Sequence, residues 1–139
     1  MADDGDETAG KHTTKAYGYD VIASKCANQH QGGVAFLLRT SQSWHMESVR
    51  TFGNNVIRGT LVHNDRRTTI VGAYISPSKT DLSTIGYIDT AMSNIDTEET
   101  ILLGDFNIRL HQSKDSRGDE IVENILSYNL GDISKRFKP

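Results

Sequence analysis

An α/β sandwich, with sheet at its centre and helices outside, is the fold class this sequence predicts. Three observations carry the prediction. The first half of the chain alternates short β-branched and apolar runs with turn residues, the pattern of antiparallel strands. The second half switches to a helix–strand–helix order. Between the two helices, the apolar run Ile101-Leu102-Leu103 leads straight into Gly104-Asp105-Phe106-Asn107. A run of that kind reads as a strand buried on both faces in the middle of a sheet. It delivers a carboxylate and a carboxamide from its carboxyl end.

The elements follow in order. Residues 1–16 are polar, contain Gly5 and Gly10, and read as a flexible lead-in. His12 lies within it and reads as a solvated histidine, because it has no partner at metal-ligand spacing. Residues 17–139 are assigned to one partial domain. Tyr19–Ser24 is the first strand and Val34–Leu38 the second, opened by Gly32-Gly33. Paired glycines allow a tight turn or a close backbone approach. A nucleotide-binding loop is disfavoured here, since no Lys-Ser/Thr pair follows and the next element is a strand.

Trp44 to Phe52 forms a third strand, and Asn54-Asn55 marks a turn. Residues 56–62 and 69–74 then flank a polar tip, Asn64-Asp65-Arg66-Arg67, as a long hairpin. The tip arginines read as solvated charges, with contact to a nucleic-acid backbone as the alternative. His45 and His63 fall in strand-like segments and read as structural. Pro77 cannot donate to a ladder, so the strand ends near Tyr74-Ile75. Leu82, Ile85, Ile88, Met92 and Ile95 recur at intervals of three and four, which predicts a helix capped by Thr80 or Asp81. Ile121, Val122, Ile125 and Leu126 predict a second.

Composition narrows the function classes. The chain has 139 residues, 36% hydrophobic and 24% charged, which suits one ordinary globular domain or a large piece of one. Its formal net charge of −3 weighs against a dedicated nucleic-acid binder, which is usually basic, but not against an enzyme that touches nucleic acid locally. No run approaches the ~20 apolar residues of a membrane span. The acidic start (Asp3, Asp4, Asp6, Glu7) is unlike a signal peptide. Cys26 is the single cysteine, so neither an intrachain disulfide nor a thiolate cluster forms, and a reducing interior, cytoplasmic or nuclear, is the default.

The residues that can do chemistry are Tyr74, Asp105 and Asn107. One helix separates the strands that end at Tyr74 and Asp105, the connection parallel neighbours need, so both side chains should emerge on one rim. Asp105 can accept a proton from water or hold a metal-bound water. Asn107 can orient that water or bind a phosphoryl oxygen. The Tyr74 hydroxyl can donate to a developing oxyanion. The plain alternative is local turn capping for the Asp-x-Asn pair and packing for Tyr74.

Three segments taken together, Gly32-Gly33-Val34-Ala35-Phe36, Ala73-Tyr74-Ile75-Ser76-Pro77-Ser78 and Ile101-Leu102-Leu103-Gly104-Asp105-Phe106-Asn107, resemble the endonuclease/exonuclease/phosphatase superfamily. The form is closest to the apurinic-type endonuclease domains of non-LTR retrotransposons. The resemblance runs from about Tyr17 onward. It implies a four-layered α/β sandwich, of which this chain would be a part truncated at both ends. It also implies a Mg²⁺-dependent phosphodiester hydrolase acting on DNA, with a reverse-transcriptase domain as a possible neighbour in the parent protein. Asp105 would match the residue that positions the attacking water, Asn107 its partner on the phosphate and weak co-ligand of Mg²⁺, and Tyr74 the phosphate-stabilising tyrosine.

The chain also departs from the family pattern. Ser78 stands where Asn is frequent. The family's metal-binding glutamate, expected upstream of the Gly-Gly segment, has only Glu7 as a stand-in. The closing Asp-His pair has no counterpart, and His111 follows Asn107 too closely to serve. Three outcomes stay open from sequence: a nuclease domain with little or no activity of its own, a non-catalytic remnant, and a phosphatase of the same superfamily.

Overall fold

The computed structural model describes residues 11–24, 33–77, 82–107, 121, 123–125 and 127–131. The chain divides into two compact units, Met1–Asn107 and Ile108–Pro139. In the second, residues 121 and 123–125 are helical, in line with the expected second helix, and Ile121 is buried. Val122 and Leu126 lie outside the described residues.

The first unit carries two sheets and one helix. Strands β1 (Lys11–Ala16), β2 (Tyr19–Ser24) and β3 (Ala35–Arg39) form an antiparallel sheet in that order. Strands β4 (His45–Phe52), β5 (Val56–His63), β6 (Arg66–Tyr74) and β7 (Glu99–Asp105) form a mixed sheet. Its first two pairings are antiparallel and the β6–β7 pairing is parallel. Helix α1 (Ser83–Ala91) makes the crossover between β6 and β7 and lies against β4, β5 and β6. The expected sandwich of sheet and helix is therefore present, with one sheet mixed and the other purely antiparallel.

Several elements depart from the sequence expectation. Lys11–Ala16, assigned to a flexible lead-in, is strand β1, in register with β2 from Lys11↔Ser24 to Ala16↔Tyr19. The two join through Tyr17 and Gly18, both at positive φ (53° and 82°), as a two-residue hairpin turn requires. Likewise, β5 and β6 turn at Asn64 and Asp65 alone, at φ 51° and 65°. The tip is shorter than expected, and Arg66 and Arg67 belong to β6. Arg66 forks onto Glu99, with Nε donating to Oε1 at 3.0 Å and an Nη to Oε2 at 2.8 Å; Arg67 donates to Glu47 at 2.8 Å. Both arginines are thus ion-paired rather than simply solvated.

Helix α1 starts after Leu82, whose side chain makes no capping bond, and Thr80 and Asp81 lie outside the described residues. The helix ends at Ala91, short of Ile95, with Asn94 at φ 56°. Its exposed terminal carbonyls are satisfied by a strand residue. The Arg58 guanidinium donates to the carbonyls of Ala91 (3.0 Å), Ser93 (2.8 Å) and Asn94 (3.2 Å). A cation at the negative end of a helix, bonded to carbonyls with no intrahelical partner, is favourable on both counts. Register places Arg58 on the same face as Val71, so one face of the mixed sheet packs against α1. Buried Val71, Ala73, Ile85, Ile88 and Ala91 make that core.

The other face looks toward β3. Gly59 leaves the space taken by Met46 and by the Phe36 ring, whose Cε2 would lie 3.1 Å from a Cβ at that position. Beyond this contact the sheets enclose an apolar cleft of about 730 Å³, bordered by Phe36, Met46, Ile57, Ile70 and Leu103.

Strand β7 was expected in the middle of a sheet, buried on both faces. Among the described strands it is instead at an edge of its sheet, paired with β6, and Ile101 and Leu103 are 39% and 50% exposed. Its Gly104, at φ 153°, faces β6 so that a Cβ there would collide with the Ala73 carbonyl oxygen. Only glycine takes that conformation without strain.

Three outcomes check this account. Gly104→Ala should lower unfolding free energy by about 2 kcal/mol or more in urea titration, because backbone strain and backbone collision add. Arg58→Met keeps most of the stem and loses the three carbonyl bonds. It should cost about 1–2 kcal/mol and release the end of α1 to faster amide exchange. The third concerns Glu47, whose carboxyl is held below its ordinary value by hydrogen bonds from His45 and then Arg67. A carboxyl depressed on folding adds stability above its unfolded pKa, and loses it as pH falls through the folded one. An NMR titration should give Glu47 a midpoint below that of a free glutamate, and His45→Ala should raise it.

Candidate active site at the β6–β7 rim

Tyr74 and Asp105 are register partners in the parallel β6–β7 pair. Partners in a parallel ladder share a face, and here both border the inter-sheet cleft. The sequence expectation of one rim for both residues holds. Tyr74 is half-buried and Asp105 exposed.

The rim is built from main chain. On one side the Tyr74 N–H donates to the Asn55 carbonyl at 2.9 Å; on the other the Ile75 N–H donates to the Asp105 carbonyl at 2.8 Å. Asn107 then extends the ladder without being part of the strand. At φ 50° it turns back, and its side-chain amide donates to the Ile75 carbonyl at 2.7 Å. Its own N–H donates to Asp105 Oδ1 at 3.0 Å, closing an Asx turn. Asn tolerates the left-handed conformation better than most residues, which suits it to this position.

The geometry defines what each group has left to offer. An ionised carboxylate accepts about four hydrogen bonds. The turn uses one site on Asp105, and the side chain is exposed, so it retains acceptors for water, a cation or a donor on a ligand. Asn107 commits an amide N–H to the protein, so turn capping is part of its role. The tyrosine side chain leaves the same strand end as the carboxylate, on the same face. That combination of an acceptor-rich anion and a neutral donor suits a ligand with both a nucleophile to orient and an oxyanion to stabilise.

For a magnesium ion the fit is partial. Mg²⁺ keeps several waters and takes one or two carboxylates. Asp105 supplies one. Among the described residues no three His, Cys, Asp or Glu side chains come together as a metal site. Glu7 and His111 lie outside the described residues, as does Ser78. His45 and His63 stand toward the Asn64-Asp65 turn, at the opposite end of the mixed sheet from Tyr74. Trp44 stacks on the His63 ring there, with centroids 4.4 Å apart.

Two residues that the sequence reading passed over also shape this end of the molecule. Ser24, nearly fully buried, donates its hydroxyl to the Asn54 carbonyl at 2.7 Å and accepts from the Val34 N–H at 3.1 Å. The Asn55 side-chain carbonyl accepts from the Gly33 N–H at 2.8 Å. A strand-terminal serine and a turn asparagine carry no distinctive signal in a single sequence.

Among the described residues no helix is long and apolar enough to cross a membrane. No family model and no curated protein matches the chain by sequence. Among solved structures it is similar to the endonuclease domain of TRAS1, a telomere-specific non-LTR retrotransposon. The TM-score is 0.60 at 17% identity, and the match covers 78% of this chain and 52% of that one. The chain therefore spans about half the length of that domain, and its fold is that of a non-LTR retrotransposon endonuclease domain in part.

Proposed function

We propose that the chain is an endonuclease-like domain, a phosphodiester hydrolase whose substrate is DNA, and that by itself it cleaves weakly or not at all. The observation that carries the reading is the Tyr74↔Asp105 register pair, which sets a phenol and a carboxylate side by side at one strand end. The fold likeness to a retrotransposon endonuclease domain supports the same substrate class.

In this reading Asp105 orients the attacking water and accepts its proton. Tyr74 donates to a non-bridging phosphoryl oxygen as negative charge grows there. Asn107 fixes the Asp105 carboxylate through its main-chain N–H, while its carboxamide holds the Ile75 carbonyl. Mg²⁺ bound at Asp105 would supply Lewis-acid polarisation of the phosphoryl group. With one carboxylate among the described donors, the ion would depend on waters and on the substrate itself. A parent protein with a reverse-transcriptase domain, and a site of action in the nucleus or cytoplasm, belong to the same proposal.

The expectation of weak cleavage follows from the same geometry. The carboxamide of Asn107 is committed to the Ile75 carbonyl, and His45 and His63 stand at the far end of the mixed sheet. Asp105 would thus act as base without a histidine from that sheet, and a partner of that kind typically contributes a factor of about 10²–10⁴. This also favours the non-catalytic remnant as second reading.

Supercoiled plasmid incubated with the chain and Mg²⁺, beside Asp105→Ala and Tyr74→Phe, separates the cases. The expected result is slow nicking that Asp105→Ala abolishes and Tyr74→Phe reduces. Robust, Asp105-dependent nicking would overturn the incomplete-site reading. Nicking at the level of buffer, even at high protein concentration, would establish the remnant. Release of phosphate from a small monoester with no action on plasmid would point to the phosphatase.

A further inference from the structure

We infer that Asn55 is a positioning residue of the candidate site. Its side chain fixes Gly33 and its main chain fixes Tyr74, so one residue sets the spacing across the mouth of the cleft. The inference rests on the proposed phosphate-facing role of Tyr74 and adds what holds Tyr74 in place.

Asn55 lies in the turn between β4 and β5, where any good turn former would close the chain. Its side chain does more than that. The Oδ1 atom reaches the segment that leads into β3 and accepts the Gly33 N–H at 2.8 Å. Its main-chain carbonyl accepts the Tyr74 N–H at 2.9 Å. Gly33 sits at φ 101°, a conformation natural to glycine, so its amide cannot be re-aimed by a simple substitution there.

The neighbouring contacts make the tether two-stranded. Ser24 bonds the Asn54 carbonyl and the Val34 N–H with one hydroxyl, and its own N–H donates to the Val34 carbonyl at 2.9 Å. Val34 borders the cleft, as do Tyr74 and Asp105. The segment before β3 is therefore clasped to the 54–55 turn by two side chains, and the same turn holds β6 at Tyr74. A group entering the cleft mouth meets Val34 on one side and Tyr74 on the other, at a separation Asn55 defines.

The test uses the full chain, labelled with ¹⁵N. Asn55→Asp keeps the length and the acceptor. Asn55→Leu keeps the size and loses the acceptor, and Asn55→Gly loses the acceptor together with the rest of the side chain, should the leucine variant not fold. In the leucine or glycine variant the Gly33 amide should exchange about tenfold faster, the loss expected for one hydrogen bond. The Tyr74 amide resonance should move, while the Val34 amide, held by Ser24, stays protected. Asn55→Asp should restore the parent values of both. Gly33 exchange unchanged by loss of the acceptor, or an aspartate variant that behaves like leucine, would overturn the clasp.

A second arm adds a short DNA duplex with Mg²⁺ to the parent and to the acceptor-less variant, and follows the Tyr74 resonances. A response in the parent that shrinks in the variant supports the positioning role; equal responses overturn it. If Tyr74 in the parent ignores the duplex while the exchange results stand, the nuclease reading fails and the clasp survives.

Discussion

The parallel pairing of β6 with β7 is the constraint on which the rest of the first unit depends. It requires a crossover, which α1 provides, and it carries the ladder to the carboxyl ends of both strands, where Ala73 pairs with Gly104 and Tyr74 with Asp105. Gly104 permits that last stretch of ladder, since at its φ of 153° a side chain would strike the Ala73 carbonyl. Just beyond it, Ile75 is reached from both sides of the turn. Its N–H finds the Asp105 carbonyl and its carbonyl finds the Asn107 amide. The rim exists because a ladder is continued by a side chain after the strand has ended.

Polar tethers repeat this logic elsewhere. Arg58 closes α1 from the sheet beneath it, and Arg66 fixes the start of β7 to the start of β6 through Glu99. Buried Thr69 bonds the Thr97 hydroxyl at 2.6 Å. Thr97 gives its only hydroxyl proton to the Glu99 carbonyl, so Thr69 is the donor of that pair. The segment that leads from α1 into β7 is thus pinned by directional bonds at both its ends. The Arg66–Glu99 pair is exposed, and its contribution lies more in register than in stability.

Where local chemistry decides structure, the sequence was legible. The boundaries of β2 coincide with the expected strand, and the β5–β6 hairpin and α1 appear where alternation and helical spacing predict them. Strand β1 was not legible, because Lys11–Ala16 has no apolar alternation and owes its conformation to the ladder with β2. The apolar run of β7 suggested burial on both faces, yet hydrophobicity alone does not say how many neighbours a strand has. Arg66 and Arg67 read as solvated for a similar reason: their carboxylate partners are 33 and 20 residues away in sequence. The rim itself was legible through connection length, which makes Tyr74 and Asp105 neighbours without any knowledge of contacts. Asn55 and Ser24 were not, since their roles arise only when one sheet is laid over the other.

Under the proposed function Asp105 has two uses, turn cap and reacting carboxylate, and they bear on how such a site is built. A carboxylate at a free strand end would sample many rotamers, and orienting it during reaction would cost side-chain entropy. The Asn107 N–H removes part of that freedom in advance by holding Oδ1. Asn107 is in turn held by Ile75, and Ile75 by the backbone of Asp105. The three residues form a closed loop of bonds, each fixing the next. Turn capping and chemistry are therefore not competing readings of the Gly-Asp-Phe-Asn segment. The cap is what gives the carboxylate a defined direction, and Tyr74 on the adjoining strand gives that direction a second group to act with.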